Sequence, residues 1–191
     1  TIFNNKNSIQ VDDRFNTYSL NSRQVVRNTQ YLPTGINVLS PVIVGNPIKF
    51  ISFTQSADIE VFNFTSMDST YENLGLQVFK GDGSVAFHSS AKPIRVIDFF
   101  RKNVRNSYGS PDLSSVMRKY PGYSKLGIVM CNQVPIFSKT DGFWRIYMPK
   151  ITIHANGDIY FEFESSDSPI QNLNTTTSGF NDFIVADLSD Y

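Results

Sequence analysis

The chain has one cysteine, Cys131, and two histidines, His88 and His154, in 191 residues. A lone thiol forms no internal disulfide, so a disulfide-stapled fold is excluded, as is a zinc site built on several cysteines. Glutamate is scarce, at Glu60, Glu72, Glu162 and Glu164, and charged residues make up only 18%. That composition does not fit a coiled coil or a bundle rich in Ala, Leu, Glu and Lys. No apolar run approaches the ~20 residues of a membrane-spanning helix, so no membrane span is expected. Thr1 to Asn7 lack a basic start and an apolar stretch, so no signal peptide is expected there. Lys and Arg number 17, as do Asp and Glu. A net charge of zero gives no global attraction to nucleic acid or to an anionic membrane. A phosphate-binding loop, a dinucleotide-type glycine fingerprint and a hydrolase nucleophile elbow are all missing. No cofactor, metal or catalytic residue is therefore assigned.

What is present is β-strand signal, with aromatics at 14% of the residues. Ile36 to Val44 and Ile48 to Phe53 are rich in β-branched and aromatic residues, interrupted by Pro41, Gly45 and Pro47. Proline cannot donate to a ladder, so edge or broken strands are expected there. In Asp58 to Phe64, Glu60, Phe62 and Phe64 share one face while Ile59 and Val61 share the other. Apolar residues on both faces place this strand between two layers. Two hairpins are marked by their turns, Lys80-Gly81-Asp82-Gly83 and Ala155-Asn156-Gly157. Asn-Gly between alternating strands predicts a tight reversal, here expected as type I′. Beyond it Ile159, Phe161 and Phe163 point inward, and Tyr160, Glu162 and Glu164 outward.

One short helix is expected from Ser110, a capping residue, through Pro111 and Asp112, with Leu113, Val116 and Met117 as its apolar stripe. Asp98 to Asn106 is a candidate second helix. Residues 165–179 form a polar loop, followed by an apolar segment from Phe180 to Leu188 that is a terminal strand or an arm. The predicted organisation is a mainly β, single β-sandwich or jelly-roll-like domain over residues 1–164, with one or two short helices, followed by the loop and strand or arm over 165–191.

The residues that could carry chemistry are few. Cys131 lies in the apolar run from Leu126 and is expected to be a small buried residue. His88 and His154, near hairpin ends, are expected to be solvated. Glu162 and Glu164 stand about 7 Å apart on one strand face. That spacing is compatible with paired acid–base work on a glycan, but an exposed face made soluble by charge is the reading taken here. Tyr160, Phe143 and Trp144 are candidate platforms for stacking on sugars.

Charge is unevenly placed along the chain. From Lys92 to Lys125 eight cations face two acids, whereas from Ile151 to Tyr191 there are seven acids and no Lys or Arg. The two regions either pair within one subunit or complement a second copy or a neighbouring protein. The second alternative defines a candidate assembly interface of Arg101, Lys102, Arg105, Phe183, Val185 and Asp187. Nucleic-acid binding by the basic segment is not expected, because the acidic segment competes for it.

Two stretches carry a family resemblance. They are Phe3-Asn4-Asn5-Lys6-Asn7-Ser8-Ile9-Gln10-Val11-Asp12-Asp13 and Gly75-Leu76-Gln77-Val78-Phe79-Lys80-Gly81-Asp82-Gly83-Ser84-Val85-Ala86-Phe87-His88-Ser89-Ser90, the latter followed by Ile94-Arg95-Val96-Ile97-Asp98. Together they resemble small virion structural proteins of tailed bacteriophages, of the tail-tip or tail-fibre-associated type, with His88 standing where that pattern has Asp. The resemblance implies a non-enzymatic virion component at the distal tail or tail fibre, made in the host cytoplasm. It further implies partners among other tail proteins or copies of itself. The alternative is a host-receptor or carbohydrate-binding module of the tail. The resemblance carries over no catalytic residue.

Overall fold

Alternation of inward and outward side chains dictates strands over most of the length, and strands are what the chain forms. The computed structural model describes residues 2–3, 9–11, 18–27, 32–49, 57–66, 75–105, 113–132, 136–140, 143–170 and 178–191. In chain order the strands begin with β1 (Ile2–Phe3), β2 (Ile9–Val11), β3 (Tyr18–Val26), β4 (Ile36–Pro41) and β5 (Pro47–Lys49). Next come β6 (Ile59–Ser66), β7 (Gln77–Phe79), β8 (Val85–His88), β9 (Arg95–Arg105) and β10 (Val116–Lys119). The last are β11 (Leu126–Asn132), β12 (Ile136–Thr140), β13 (Phe143–Ile153), β14 (Asp158–Ile170) and β15 (Ser178–Asp187).

All pairing between them is antiparallel. A six-stranded sheet runs β3-β6-β4-β11-β15-β9. A five-stranded sheet runs β10-β14-β13, and β12 and β5 share the far edge of β13 end to end. β1 with β2 and β7 with β8 form separate pairs. The chain crosses from one large sheet to the other at residues 42–46, where Gly45 N–H donates to the Ile153 carbonyl at 2.9 Å. Pro41 and Pro47 bracket this corner. Pro47 stands on an edge strand, as expected of proline, but β4 is interior, between β6 and β11.

The two large sheets pack face to face as a β-sandwich. Leu39, Ile59, Val61, Phe100, Leu126, Ile128, Phe183 and Val185 from the six-stranded sheet meet Ile48, Ile151, Ile153, Ile159 and Phe161 from the other. Phe183 stacks on Phe100 at 5.0 Å between ring centroids and tilts against Phe161 at 4.7 Å, so aromatic contact bridges the layers. Each such fully buried side chain contributes about 1.5–3 kcal/mol relative to exposure. The opposite face of the six-stranded sheet is also covered. Val38, Phe62, Phe64, Ala186 and Leu188 form a second cluster there, with Leu20, Ile36, Ile94, Val129 and Tyr191 packed against it. β6 therefore has two apolar faces, and Ile59 through Phe64 are all buried, as the sequence pattern anticipates.

Several expectations are corrected. No helix occurs among the described residues. Ser110 to Asp112 lie outside them, Leu113 to Ser115 are irregular, and Val116 and Met117 belong to β10, opposite Phe161 and Tyr160. A three-residue apolar stripe gives too little helical burial to compete with a ladder to β14 and contact with the core. Asp98 to Arg105 likewise lies within β9, where a ladder to β15 runs its length and Phe100 enters the core. Of the expected polar loop, residues 165–170 belong to β14, Ser178 and Gly179 belong to β15, and residues 171–177 lie outside the described residues. β15 lies inside the six-stranded sheet, between β11 and β9.

Both predicted reversals use one device. Lys80 N–H donates to Ser84 O at 2.8 Å and Gly83 N–H to Lys80 O at 3.0 Å. In the second hairpin His154 N–H donates to Asp158 O at 2.9 Å and Gly157 N–H to His154 O at 3.0 Å. An Asx side chain braces each turn, with Asp82 Oδ1 accepting from Ser84 N–H at 2.9 Å and Asn156 Oδ1 from Asp158 N–H at 3.1 Å. These are three-residue loops ending in a glycine at positive φ, rather than the two-residue type I′ turn expected. Gly83 and Gly157 have φ of 85° and 83°. They differ in surroundings: a Cβ on Gly83 meets nothing within 4 Å, whereas one on Gly157 would lie 2.1 Å from the Tyr120 carbonyl oxygen. Gly83→Val should therefore cost only the backbone strain, about 1–3 kcal/mol. Gly157→Val should cost clearly more, because Tyr120 must also move. Equal losses in denaturant unfolding would refute the Tyr120 contact.

Candidate functional site

Part of the charge asymmetry of the sequence resolves as the register of one strand pair. β9 supplies the cations and β15 the acids, with Arg101 opposite Asp182 and Arg95 opposite Asp187. Arg101 Nε and Nη2 donate to the Asp182 carboxylate at 2.6 and 2.9 Å, a bidentate pair that holds Asp182 below the usual carboxylate range. Arg95 pairs with Asp190 and stands 3.7 Å from Asp187. Of the expected interface residues, Phe183 and Val185 are fully buried in the sandwich core, so they present no surface. This is a correction with a simple cause: β15 is paired along both edges and packed on both faces. Lys102 is buried and donates to Ser114 Oγ at 2.7 Å. Arg105 stands opposite Ser178, and its side chain lies outside the described residues.

A second charged cluster covers the outer face of the six-stranded sheet. Glu60 is buried, with both Arg23 and Lys125 bonded to its carboxylate. Burial pushes the Glu60 carboxyl up, but hydrogen bonds and charge from Lys125 and Arg23 outweigh it and hold the carboxyl below its ordinary value. Lys125 Nζ lies 4.8 Å and the Arg23 guanidinium 5.2 Å from the Phe62 ring centroid. Tyr191 closes the cluster edge-on to Phe62 and Phe64, and its hydroxyl donates to the Pro93 carbonyl.

The outer face of the five-stranded sheet differs toward the β13–β14 turn, where Lys150, Thr152, Tyr160, Glu162 and Glu164 point outward. Glu162 and Glu164 point out as expected, and each has its own lysine, Lys150 at 3.1 Å and Lys49 at 2.8 Å. Thr152, His154, Asn156, Asp158, Tyr160 and Glu162 line an open groove of about 290 Å³ at the turn end of β13 and β14. His154 is exposed at a strand end, as expected, and its ring meets Tyr160 edge-on at 5.1 Å. Sequence reasoning singled out His154, Tyr160 and Glu162 separately but missed Thr152, Asn156 and Asp158. The signal was available: with period two, outward residues on both arms of an Asn-Gly hairpin must gather on one face. The side chains of Phe143 and Trp144 lie outside the described residues.

Two other expectations are reversed. His88 is fully buried, not solvated, because its Nδ1 accepts from Ser90 N–H at 3.1 Å and meets Ser90 Oγ at 2.6 Å, folding the ring into the turn after β8. Cys131 is exposed, because the ladder to β15 shifts register between Met130 and Asn132, leaving Cys131 as the extra residue of a bulge.

Apolar side chains are also exposed. Val42, Ile43 and Val44 protrude at the corner between β4 and β5. On the edge strand β9, Val96 and Phe99 are more than half exposed, and Phe180 of β15 lies under Arg101 on the same outer face. Among the described residues, β9 pairs only with β15. No protein-family model, curated protein or solved structure matches the chain.

Two outcomes follow from these placements. Deleting residues 178–191 removes an interior strand and two of the five buried residues of the second apolar cluster, so the truncated chain should lose its cooperative unfolding transition. A folded, soluble truncation product would contradict the position of β15. Glu60 titrates lower in the folded chain than in the unfolded one, so its stabilisation is complete above its unfolded value near 4.5 and is lost as pH falls through the folded value. Glu60→Gln should destabilise the chain at neutral pH by about 1–3 kcal/mol, through the cations left unpaired. It should also flatten the loss of stability on acidification, measured by urea unfolding from pH 7 to 3. A variant with the wild-type pH profile would remove Glu60 from that role.

Proposed function

We propose that this chain is a non-enzymatic structural component of a tailed bacteriophage virion, at the distal tail or among the tail fibres. The observation that carries this reading is the conformation of residues 75–98, the longer of the stretches that resemble such proteins. They form the β7–β8 hairpin and then enter the edge strand β9. Along this stretch Leu76, Phe79 and Val96, with Phe99 just beyond it, are 53–55% exposed. Large apolar side chains left half in water beside a strand that pairs along one edge only among the described residues are features of a surface that a neighbour covers. The antiparallel sandwich supports the reading as well, since a rigid two-layer core holds its loops and edges in fixed positions within an assembly. The partners on this reading are adjacent tail proteins or further copies of the chain.

The test is incorporation. The chain should be detected by mass spectrometry in purified particles released by the producing cells. Val96→Lys with Phe99→Lys should leave the thermal transition within a few degrees of wild type, since exposed substitutions usually change stability by less than about 0.5 kcal/mol each. The same double variant should cut incorporation roughly tenfold, the equivalent of ~1.4 kcal/mol of lost contact. Absence of the wild-type chain from purified particles would overturn the proposal.

A further inference from the structure

We infer that the groove on the outer face of the five-stranded sheet binds a neutral, hydroxyl-rich saccharide. The inference rests on the groove alone and stands or falls independently of the virion reading. The ladder sets the geometry. Thr152 lies opposite Tyr160 and Lys150 opposite Glu162, while His154 and Asp158 close the hairpin. Outward side chains from both strands therefore converge on one short concave patch. Its volume, about 290 Å³, lies at the lower limit of small-ligand sites and suits a ring-sized group rather than a buried peptide.

The chemistry of the lining selects the ligand. Tyr160 is half-buried and braced edge-on by His154, so it offers a fixed aromatic surface to the C–H face of a sugar ring. Around it stand groups that bond hydroxyls in either sense. Asp158 and Glu162 only accept, the Asn156 amide donates and accepts, and Thr152 and Tyr160 do both through their own hydroxyls. The acceptors are held in place, with Asn156 Nδ2 donating to Asp158 Oδ2 at 2.9 Å and Lys150 pairing with Glu162 at 3.1 Å. Among the described residues the lining holds two carboxylates and no Lys or Arg, and Lys150 beside it is paired with Glu162. An anionic sugar would meet like charge without a lining cation, and a purely apolar ligand would leave the polar groups desolvated and unpaired. A neutral saccharide meets neither penalty.

The test uses the whole chain and defined probes: maltotriose, cellotriose, chitotriose and mannotriose as neutral sugars, and trigalacturonate and sialyllactose as acidic ones. At least one neutral trisaccharide should perturb the Tyr160 and His154 ring signals in NMR titration. Tyr160→Ala should weaken that binding roughly tenfold, the scale of one aromatic contact. Because Tyr160 is partly buried, Glu162→Gln serves as the second variant; it keeps the side chain's shape, and it should weaken the same sugar about threefold or more. Acidic sugars should bind more weakly than the neutral one. The inference is overturned if no neutral trisaccharide binds at millimolar concentration, if both variants bind as wild type, or if the acidic sugars bind more tightly. It is also overturned if calcium chloride alone perturbs the groove while the sugars do not.

Discussion

Strand β15 is constrained from four directions, and the rest of the sandwich depends on it. Its backbone is bonded to β11 on one edge and β9 on the other. Phe183 and Val185 enter the core between the sheets, while Ala186 faces the second cluster beneath Leu188 and Tyr191. A slip of one residue would exchange these two sets and drive Asp182 toward the sandwich interior. The ion pairs reinforce the same register, because Arg101 reaches Asp182 and Arg95 reaches Asp187 only in the observed alignment. Each exposed pair is worth little as stability. Their value lies in making every shifted alignment worse.

Much of this architecture is legible in the residues. The double-faced pattern of Asp58 to Phe64 announces a strand between two layers, and the alternation from Ile159 to Phe163 announces a half-buried one. Both turns are announced by an Asx residue before a glycine, though their loop length is not, since Ala155 or Gly81 belongs to the loop only once the flanking strands are in register. The failures share a cause. The stripe of Leu113, Val116 and Met117 is as compatible with a helix as with an irregular lead into β10, and the ladder to β14 decides between them. His88 is buried through a bond to Ser90, and Cys131 is exposed through a bulge. Neither the local bond nor the bulge leaves a mark in hydrophobic periodicity.

Recognition surfaces are harder to read than strands, because they depend on which faces the fold leaves open. The acidic and basic segments look like halves of an intermolecular contact as long as β15 is imagined at the end of the chain. Placed inside the sheet, it turns Phe183 and Val185 into core and Asp182 and Asp187 into register pins. The interaction capacity moves elsewhere, to side chains that alternation places outward without an intramolecular use, such as Val96 and Phe99.

The asymmetry between the two sheets then sorts what remains. The six-stranded sheet uses both faces for burial, with the Glu60 carboxylate and its two cations sealing part of the outer one. Substitutions there trade directly against stability. Toward the β13–β14 turn the five-stranded sheet buries one face only, so its outward positions there are free of that demand, with β13 and β14 already held by nine paired positions in the ladder between them. A side chain such as Tyr160 can sit half-buried, oriented by His154 and by the ladder, without being needed for the core that Phe161 supplies on the opposite face. Rigid placement without a packing duty is what a ligand-contacting residue requires. Within the described residues, that combination falls on the turn end of the β13–β14 hairpin, where the brace from Asn156 to Asp158 holds the two strands in register up to the rim of the groove.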